Sequence, residues 1–464
     1  LSEIWQAANM SLANAWMLTQ GAVEAIQEHG TSEQKATYLP KLISGEWSGT
    51  MNLTEPNAGS DVGALRTKAV AENGAWKITG TKIFITHGDQ DMSENVVHLV
   101  LARTPNAPEG TRGISLFVVP KLMVEPDGSL GTRNDLRVVS LEHKLGHMAS
   151  PTAVMSYGDN EGAIGYLLGE ENQGMACMFT MMNNARINVG SQGVQIAERA
   201  TQQALDYAKE RIQSARAGAA DRSPAAIIEH PDVRRMLVRM RSLTEAMRGL
   251  LYYTAGQVDR GDIGDSAAAA RAEVLVPMLK AWATDTGIDV ASLGIQVHGG
   301  MGFIEETGAA QHWRDSRIAP IYEGTNGIQA ADLVTRKLGL EDGQVLQALF
   351  ADIARDAGDE AKLQALAGEC AAIAKWMREE ASLDDRLAGS VPYTAMCAVA
   401  VSGWCLLEQH RALADSDEEG RKAAKRLTTR YFLDQIVPEA IGLKAAAVAG
   451  AGLLYELETD ALVG

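Results

Sequence analysis

The sequence predicts an α+β protein in which a small central β-domain, of barrel or sandwich type, is flanked by helical domains. Stretches with helical periodicity and no breakers open the chain and occupy its second half. Between residues 49 and 168 the pattern changes to short β-type runs that glycine and proline interrupt. The chain has 464 residues, of which 46% are hydrophobic, so it can bury more than one core.

Two helices are predicted before the β-domain. Residues 12–28 are rich in Ala, Met, Leu and Trp and predict a buried helix, which we expect to end where Gly30 takes a left-handed cap. Thr31 and Ser32 favour the start of a second, amphipathic helix that ends at Ser44-Gly45. The β-domain is predicted from five runs, at residues 65–70, 76–79, 96–102, 114–119 and 153–156.

The second half predicts a helical bundle with a helical extension. Candidate bundle helices cover residues 172–211, 232–259, 266–285 and 288–297, and a helix that begins near Glu323 closes the bundle around Leu338. In the extension, residues 363–377 keep one apolar face at helical spacing. We therefore expect four domains, with bounds at 1–48, 49–168, 169–340 and 341–464.

Composition excludes several classes of function. A net charge of −17 argues against nucleic-acid binding, because phosphate contact needs a positive surface. Cys177, Cys370, Cys397 and Cys405 lack the spacing of a zinc site or a disulfide framework, so we expect no metal and a reducing, cytoplasmic compartment. No run is expected to span a membrane.

Glu323 is a candidate general base. It lies between the apolar pair Ile321-Tyr322 and a glycine, and apolar neighbours raise the pKa of a carboxyl towards the range where it can take a proton from carbon. The alternative is a structural carboxylate that complements the dipole of the helix that follows.

Three runs of residues carry a family resemblance. They are T-E-P-N-A-G-S-D at 54–61, G-T-K-I-F-I-T at 80–86 and Y-E-G-T at 322–325. In this order they resemble the acyl-CoA dehydrogenase family. The resemblance implies the family's fold and FAD as cofactor. It also implies that residues 1–48 are the end of an N-terminal helical domain, most of which we expect to be missing, and that the extension is structural or dimer-forming.

The first two runs are where the resemblance implies contact with the flavin ring. Met51, Leu53 and Thr54 would lie against it, and Ser60 would contact flavin phosphate or the pantetheine arm of the substrate. Phe84 and Ile85 would flank the ring, where many members have tryptophan at the position of Phe84, and Thr86 would donate to flavin N5. The alternative for residues 83–85 is an ordinary strand with Ile83 and Ile85 inward.

The resemblance implies further contacts in the helical bundle. Arg211 and Gln213, after Y-A-K-E-R at 207–211, would reach the flavin pyrophosphate of a neighbouring subunit, although the usual phenylalanine after this arginine is absent. Gln296, Gly299 and Gly300 would approach the adenosine diphosphate half of FAD. His298 between them is expected to be a packing residue.

The remaining implied contacts surround the candidate base. Thr325 and Asn326 would contact the cofactor, and Tyr322 and Gly324 the substrate. Arg186 aligns with an arginine near the family's substrate channel, and its alternative is a solvated or ion-paired surface arginine.

The implied function is α,β-dehydrogenation of an acyl-CoA to a trans-2-enoyl-CoA. Residues 322–333 are most similar to members that act on 3-methylmercaptopropionyl-CoA in sulfur metabolism. The implied partners are electron-transfer flavoprotein and a second copy of the chain, as a homodimer or homotetramer. Two alternatives remain: an acyl-CoA oxidase, and an AidB-like protein that binds flavin and DNA, for which the modest basic cluster at residues 421–426 is the only support.

Overall fold

The computed structural model describes residues 1–413 and 418–462. It contains two compact units, Leu1–Asn188 and Val189–Gly464. The long helix α4 (Gly174–Glu210) begins in the first unit and ends in the second.

The first unit combines three helices with ten strands. The helices are α1 (Ser2–Ala8), α2 (Met10–His29) and α3 (Ser32–Ser44). The strands are β1 (Trp47–Asn52), β2 (Lys68–Glu72), β3 (Ala75–Thr86), β4 (Asn95–Ala102), β5 (Ser115–Pro120), β6 (Leu122–Val124), β7 (Leu130–Arg133), β8 (Leu136–Leu141), β9 (Thr152–Tyr157) and β10 (Ala163–Leu168).

The main sheet is curled and open. Its strand order is β1-β4-β5-β10-β3-β9-β8, with β2 on β3, and only the pairing of β1 with β4 is parallel. Strand β10 changes partner along its length, because residues 166–168 pair with β5 and residues 163–165 with β3. The sheet therefore bends around a core that contains Phe117, Met155 and Tyr157, and the predicted α+β fold with a small barrel-like domain is confirmed.

All five predicted strand regions contain a strand, but five other strands were missed. Strand β8 has only one buried position and β6 has three residues, so neither shows the alternation on which strand prediction depends. The cap at Gly30 was also predicted wrongly: its φ is −74°, and its N–H donates to the Ile26 carbonyl. Gly45, with a φ of 82°, takes the left-handed conformation instead.

The second unit consists mainly of helices in its described residues, with an isolated β-bridge between Ile212 and Ala226. After α4 come α5 (Pro231–Asp262), α6 (Ser266–His298), α7 (Ala309–Ser316) and α8 (Asn326–Thr335). The extension contains α9 (Gln344–Asp356), α10 (Ala361–Glu379), α11 (Leu383–Ala388), α12 (Ser390–Ala412), α13 (Glu419–Tyr431), α14 (Val437–Gly442) and α15 (Lys444–Ala447). The predicted apolar face of α10 is buried from Leu363 to Met377.

Helix α6 corrects the prediction of two helices, at 266–285 and 288–297. It runs through Gly287 without a break. A Cβ at Gly287 would meet the carbonyl oxygen of Gly193 on α4 at 2.7 Å, so this glycine permits close helix packing rather than ending a helix.

Helix α12 is long and apolar, and most of it is buried. By length and composition alone it could cross a membrane, with a mean hydropathy of 1.4 over its most apolar window. Of that window, 78% is buried inside the protein, where α12 packs against α5, α6 and α8. Its apolar composition is therefore accounted for by core packing.

A buried ion pair ties the end of β1 to β3. Lys82 on β3 is fully buried, and its Nζ donates to Glu55 Oε1 at 2.9 Å and to the Leu53 carbonyl at 3.1 Å. Burial opposes ionisation of Glu55, but Lys82 and hydrogen bonds from Thr67 and Arg66 outweigh it and lower the pKa of the carboxyl. Burial lowers the pKa of Lys82 to about 8, against the attraction of Glu55, so the ammonium is still charged at neutral pH.

Replacing Lys82 with methionine should leave Glu55 as a buried, uncompensated charge. We expect Lys82→Met to lower the free energy of unfolding by about 3–5 kcal/mol in urea titrations. The matched control is Lys77→Met on the same strand, because Lys77 lies 4.0 Å from a half-exposed Glu72. The control should change stability by no more than about 1 kcal/mol. Equal effects of the two substitutions would show that the buried pair has no special role.

Candidate active site

The first unit brings the first two motifs together. The segment after β1 runs beside β3, where the Ile83 N–H donates to the Thr54 carbonyl at 2.9 Å. Met51, Leu53 and Thr54 are partly buried, and Ser60 is exposed on the loop that follows. The residues implied to contact the flavin ring in the two motifs are therefore neighbours, although they are about 30 positions apart in the chain.

Phe84 has an unusual backbone and an exposed ring. Its φ is 60°, and the pairing of β3 with β9 shifts register between Lys82 and Ile85. The ring is 59% exposed, whereas Ile85 is 2% exposed and Thr86 partly buried. The alternative of an ordinary strand through residues 83–85 is therefore wrong, because a bulge turns Phe84 outward. A left-handed phenylalanine costs on the order of 1–3 kcal/mol and is common at functional sites.

Glu55 and Lys82 belong to the quoted motifs, but the sequence interpretation gave them no role. Their ion pair fixes the Leu53 carbonyl and holds the first motif against β3. The available signal was the presence of one acid and one lysine in segments that otherwise predict buried structure.

Arg186 is buried rather than solvated. It lies on α4 in the first unit with 6% of its surface exposed, and its guanidinium carbon is 5.9 Å from the centre of the Phe179 ring. The alternative of a solvated surface arginine is therefore wrong. Its contact with substrate stays a prediction.

The second unit gathers the residues implied to bind the diphosphate half of the cofactor. The ring of Tyr207 near the end of α4 stacks on His298 at the end of α6, with centroids 4.4 Å apart. Arg211 lies one turn beyond Tyr207, and its Nη2 donates to Gln213 Oε1 at 3.2 Å. His298 is buried and packed, as expected.

The glycines after α6 leave open space. Gly299 has a φ of 60°, and a Cβ on Gly299 or Gly300 would meet no atom within 4 Å. Gln296, in the last turn of α6, is exposed. The exposed Arg211 guanidinium can donate twice to an anionic diphosphate, and the open glycine pair leaves room for a ligand beside the backbone.

Glu323 lies in a tight turn just before α8. Its φ is 55° and that of Gly324 is 82°, so two consecutive residues are left-handed. The Asn326 N–H donates to the Pro320 carbonyl at 2.9 Å and closes the turn. The carboxylate is not part of the first turn of a helix, because α8 begins at Asn326. The backbone strain supports a functional rather than a capping role.

Tyr322 holds the turn from the side of α4. Its hydroxyl donates to Gln192 Oε1, and burial, with a further contribution from the nearby Glu323 carboxylate, raises the pKa of the phenol well above its usual value. The Glu323 Oε2 atom is shielded from solvent. A carboxylate in this setting is suited to proton transfer.

Helix α6 holds the turn from the other side. Lys280 Nζ donates to the Gly324 carbonyl at 2.7 Å and to Asn326 Oδ1 at 2.9 Å. The Asn326 amide donates to Asp285 at 2.8 Å and to the Ala281 carbonyl at 3.0 Å. Thr325 caps α8 by accepting from the Ile328 N–H at 3.2 Å.

This network changes the interpretation of two motif residues. The side chain of Asn326 is engaged by α6 and that of Thr325 by the helix cap, so any contact of theirs with the cofactor stays a prediction and is more readily made by the backbone. Sequence reasoning missed Lys280 because α6 carries no motif around it.

The exposed features of each unit suit FAD. A rigid, exposed phenylalanine beside partly buried apolar residues offers a face to a flat ring, and the open diphosphate-type surface lies in the second unit. All four cysteines are free. Within residues 1–413 and 418–462, no three His, Cys, Asp or Glu side chains are placed to hold a metal ion.

Comparisons with known proteins agree with this geometry. Models of the acyl-CoA dehydrogenase N-terminal, middle and C-terminal domains match residues 1–46, 50–159 and 172–338. A model described as acetyl-CoA dehydrogenase C-terminal like matches residues 347–458.

Individual relatives extend over nearly the whole chain. A 3-methylmercaptopropionyl-CoA dehydrogenase of Ruegeria pomeroyi is 49% identical over 94% of this chain and 78% of its own length. A butyryl-CoA dehydrogenase of Syntrophomonas wolfei is 37% identical over 96% and 78%. The crystal structure of a Bacillus anthracis acyl-CoA dehydrogenase complexed with FAD shares the fold, with a TM-score of 0.79 and 21% identity over 100% of this chain and 78% of the other. The chain therefore belongs to the acyl-CoA dehydrogenase family of FAD-dependent oxidoreductases.

Proposed function

We propose that the protein oxidises a short acyl-CoA, 3-methylmercaptopropionyl-CoA or a close isostere, to the trans-2-enoyl-CoA, with Glu323 as the base. The observation that carries this proposal is the strained turn at Glu323, which both α4 and α6 hold in place. The 49% identity to the Ruegeria pomeroyi enzyme supports the choice of substrate.

Glu323 would take the proton from the α-carbon of the thioester. The Oε2 atom of this carboxylate is shielded from solvent, and a positioned carboxylate is a usual general base. Its own N–H, on the same turn, would donate to the thioester carbonyl and stabilise the negative charge that develops there. Bound FAD supplies the acceptor for the β-hydride.

Each unit has residues for which we propose a contact with the cofactor. Met51, Leu53, Thr54 and Phe84 would contact the ring, and Thr86 would donate to it. Arg211, Gln213, Gln296 and the pair Gly299-Gly300 would bind the diphosphate half, in a neighbouring subunit of a homodimer or homotetramer. Ser60, Arg186, Tyr322 and Gly324 would contact the substrate.

The DNA-binding alternative has little support. In the basic cluster of α13, Lys425 pairs with Glu245 at 2.5 Å and Lys422 with Glu419 at 3.1 Å. Arg421 pairs with Glu418 at 3.5 Å. Most of the positive charge is therefore neutralised locally, whereas phosphate contact requires it to be available.

Removing the base should slow the first half-reaction. We expect Glu323→Gln to retain FAD but to slow anaerobic bleaching of the flavin absorbance by acyl-CoA about 10²–10⁴-fold, the usual contribution of a general base. Stopped-flow absorbance measures the rate.

The matched control for this substitution is Glu341→Gln. Glu341 is also a left-handed glutamate, with a φ of 47°, but it is exposed in the segment after α8. The flavin of Glu341→Gln should bleach at the wild-type rate. A wild-type bleaching rate in Glu323→Gln would show that another residue is the base.

A panel of thioesters tests the substrate. We expect the highest kcat/KM with 3-methylmercaptopropionyl-CoA, a similar value with pentanoyl-CoA, in which a methylene replaces sulfur, and at least a tenfold lower value with octanoyl-CoA. A pocket distinguishes each methylene by roughly 10–200-fold, so three extra carbons should be rejected. A preference for octanoyl-CoA would refute the substrate while leaving the reaction intact.

The electron acceptor distinguishes a dehydrogenase from an oxidase. We propose electron-transfer flavoprotein as the acceptor, so the thioester-reduced enzyme should reoxidise slowly in air and rapidly when this flavoprotein is added. Stopped-flow absorbance follows both reactions. Rapid reoxidation by air alone would identify an acyl-CoA oxidase.

A further inference from the structure

We infer that Lys280 is a positioning residue for proton abstraction, which it serves by fixing the peptide that follows the base. This inference rests on the proposed role of Glu323. Lys280 itself would touch neither substrate nor cofactor.

The geometry places the Lys280 ammonium directly beneath the turn. The residue is fully buried on α6, and its Nζ donates to the carbonyl of Gly324, the residue after the base, at 2.7 Å. Gln329 Nε2 approaches the same oxygen only at 3.5 Å. Of these two donors, Lys280 is therefore the closer to a carbonyl whose orientation is coupled to the backbone of Glu323.

The turn needs such a contact because its backbone is strained. Glu323 and Gly324 have φ values of 55° and 82°. A left-handed glutamate persists only where the surrounding structure determines it strongly. The hydrogen bond from Lys280 fixes the Gly324 carbonyl at the end of this strained pair, so it opposes a rearrangement of the turn that would move the carboxylate.

The use of a charged donor indicates more than packing. A fully buried ammonium is desolvated, which is unfavourable unless its N–H groups are hydrogen-bonded to fixed acceptors. Here the Lys280 ammonium belongs to an oriented chain of hydrogen bonds. It donates to Asn326 Oδ1, and the Asn326 amide donates to Asp285 at 2.8 Å. The chain links α6 to both ends of the segment from Gly324 to Asn326.

The test is Lys280→Met in the full-length FAD-loaded enzyme. Because misplacement of a reacting group by about 1 Å can cost roughly 10²-fold, we expect the anaerobic bleaching rate at saturating thioester to fall by about that factor. The Kd for acyl-CoA and the FAD content should change by less than about twofold. An unchanged bleaching rate would overturn the inference. A slower bleaching rate that a lower FAD content of the variant fully accounts for would overturn it as well.

A double-mutant cycle separates positioning of Glu323 from a general structural effect. In the Glu323→Gln background, bleaching followed over hours should be no slower when Lys280→Met is added, because the group being positioned is gone. A further tenfold loss would show that Lys280 acts by another route. If Glu323→Gln alone bleaches at the wild-type rate, Glu323 is not the base and the proposed function is refuted. That result can be told apart from a failure of the inference about Lys280, in which Glu323→Gln is slow and Lys280→Met is not.

Two more variants complete the experiment. Lys337→Met removes a lysine that pairs with Glu273 of the same helix α6, away from the turn, and should leave the bleaching rate unchanged. If Lys280→Met does not yield folded holoenzyme, Lys280→Gln keeps an uncharged but shorter donor and should show an intermediate rate. A wild-type rate in that variant would equally overturn the inference.

Discussion

Burying a lysine ammonium is the constraint on which the motif segments of each unit depend. In each unit one fully buried lysine donates to a main-chain carbonyl of a functional motif: Lys82 to that of Leu53, and Lys280 to that of Gly324. Desolvation of a buried ammonium costs free energy, so each lysine needs a polar side chain as hydrogen-bond acceptor. This acceptor is Glu55 for Lys82 and Asn326 for Lys280. Desolvation of the two lysines lowers the stability of the fold, and in return their hydrogen bonds fix two short backbone segments.

The extension supports the second of these segments from behind. A cavity of about 320 Å³ is lined by Asp285 and Asn326 on one side and by Val391, Thr394 and Glu439 of the extension on the other. Helix α12 packs on both α6 and α8, which flank the Glu323 turn. The extension is therefore part of the scaffold of the site and does not form a separate compact unit.

The sequence predicted the features that depend on local pattern. The long helices and the central β-region follow from periodicity and from residue type, the three motifs follow from the family resemblance, and the structure places the first two motifs side by side. The bulge at Phe84 could not be predicted from the sequence, because a register shift depends on the partner strand β9. The two lysine contacts were also missed, since these join residues 29 and 44 positions apart in the chain. Strand β8 was not predicted, because its outer face and most of its inner face are solvated and its residues do not alternate between buried and exposed.

The outward side chain of Phe84 connects the proposed cofactor contact to the stability of the protein. Phe84 is 59% exposed, so a ligand could cover it without disturbing the core. A ligand that binds only the folded state stabilises that state by mass action. If FAD covers Phe84 as proposed, the free energy of unfolding would therefore rise with the concentration of FAD.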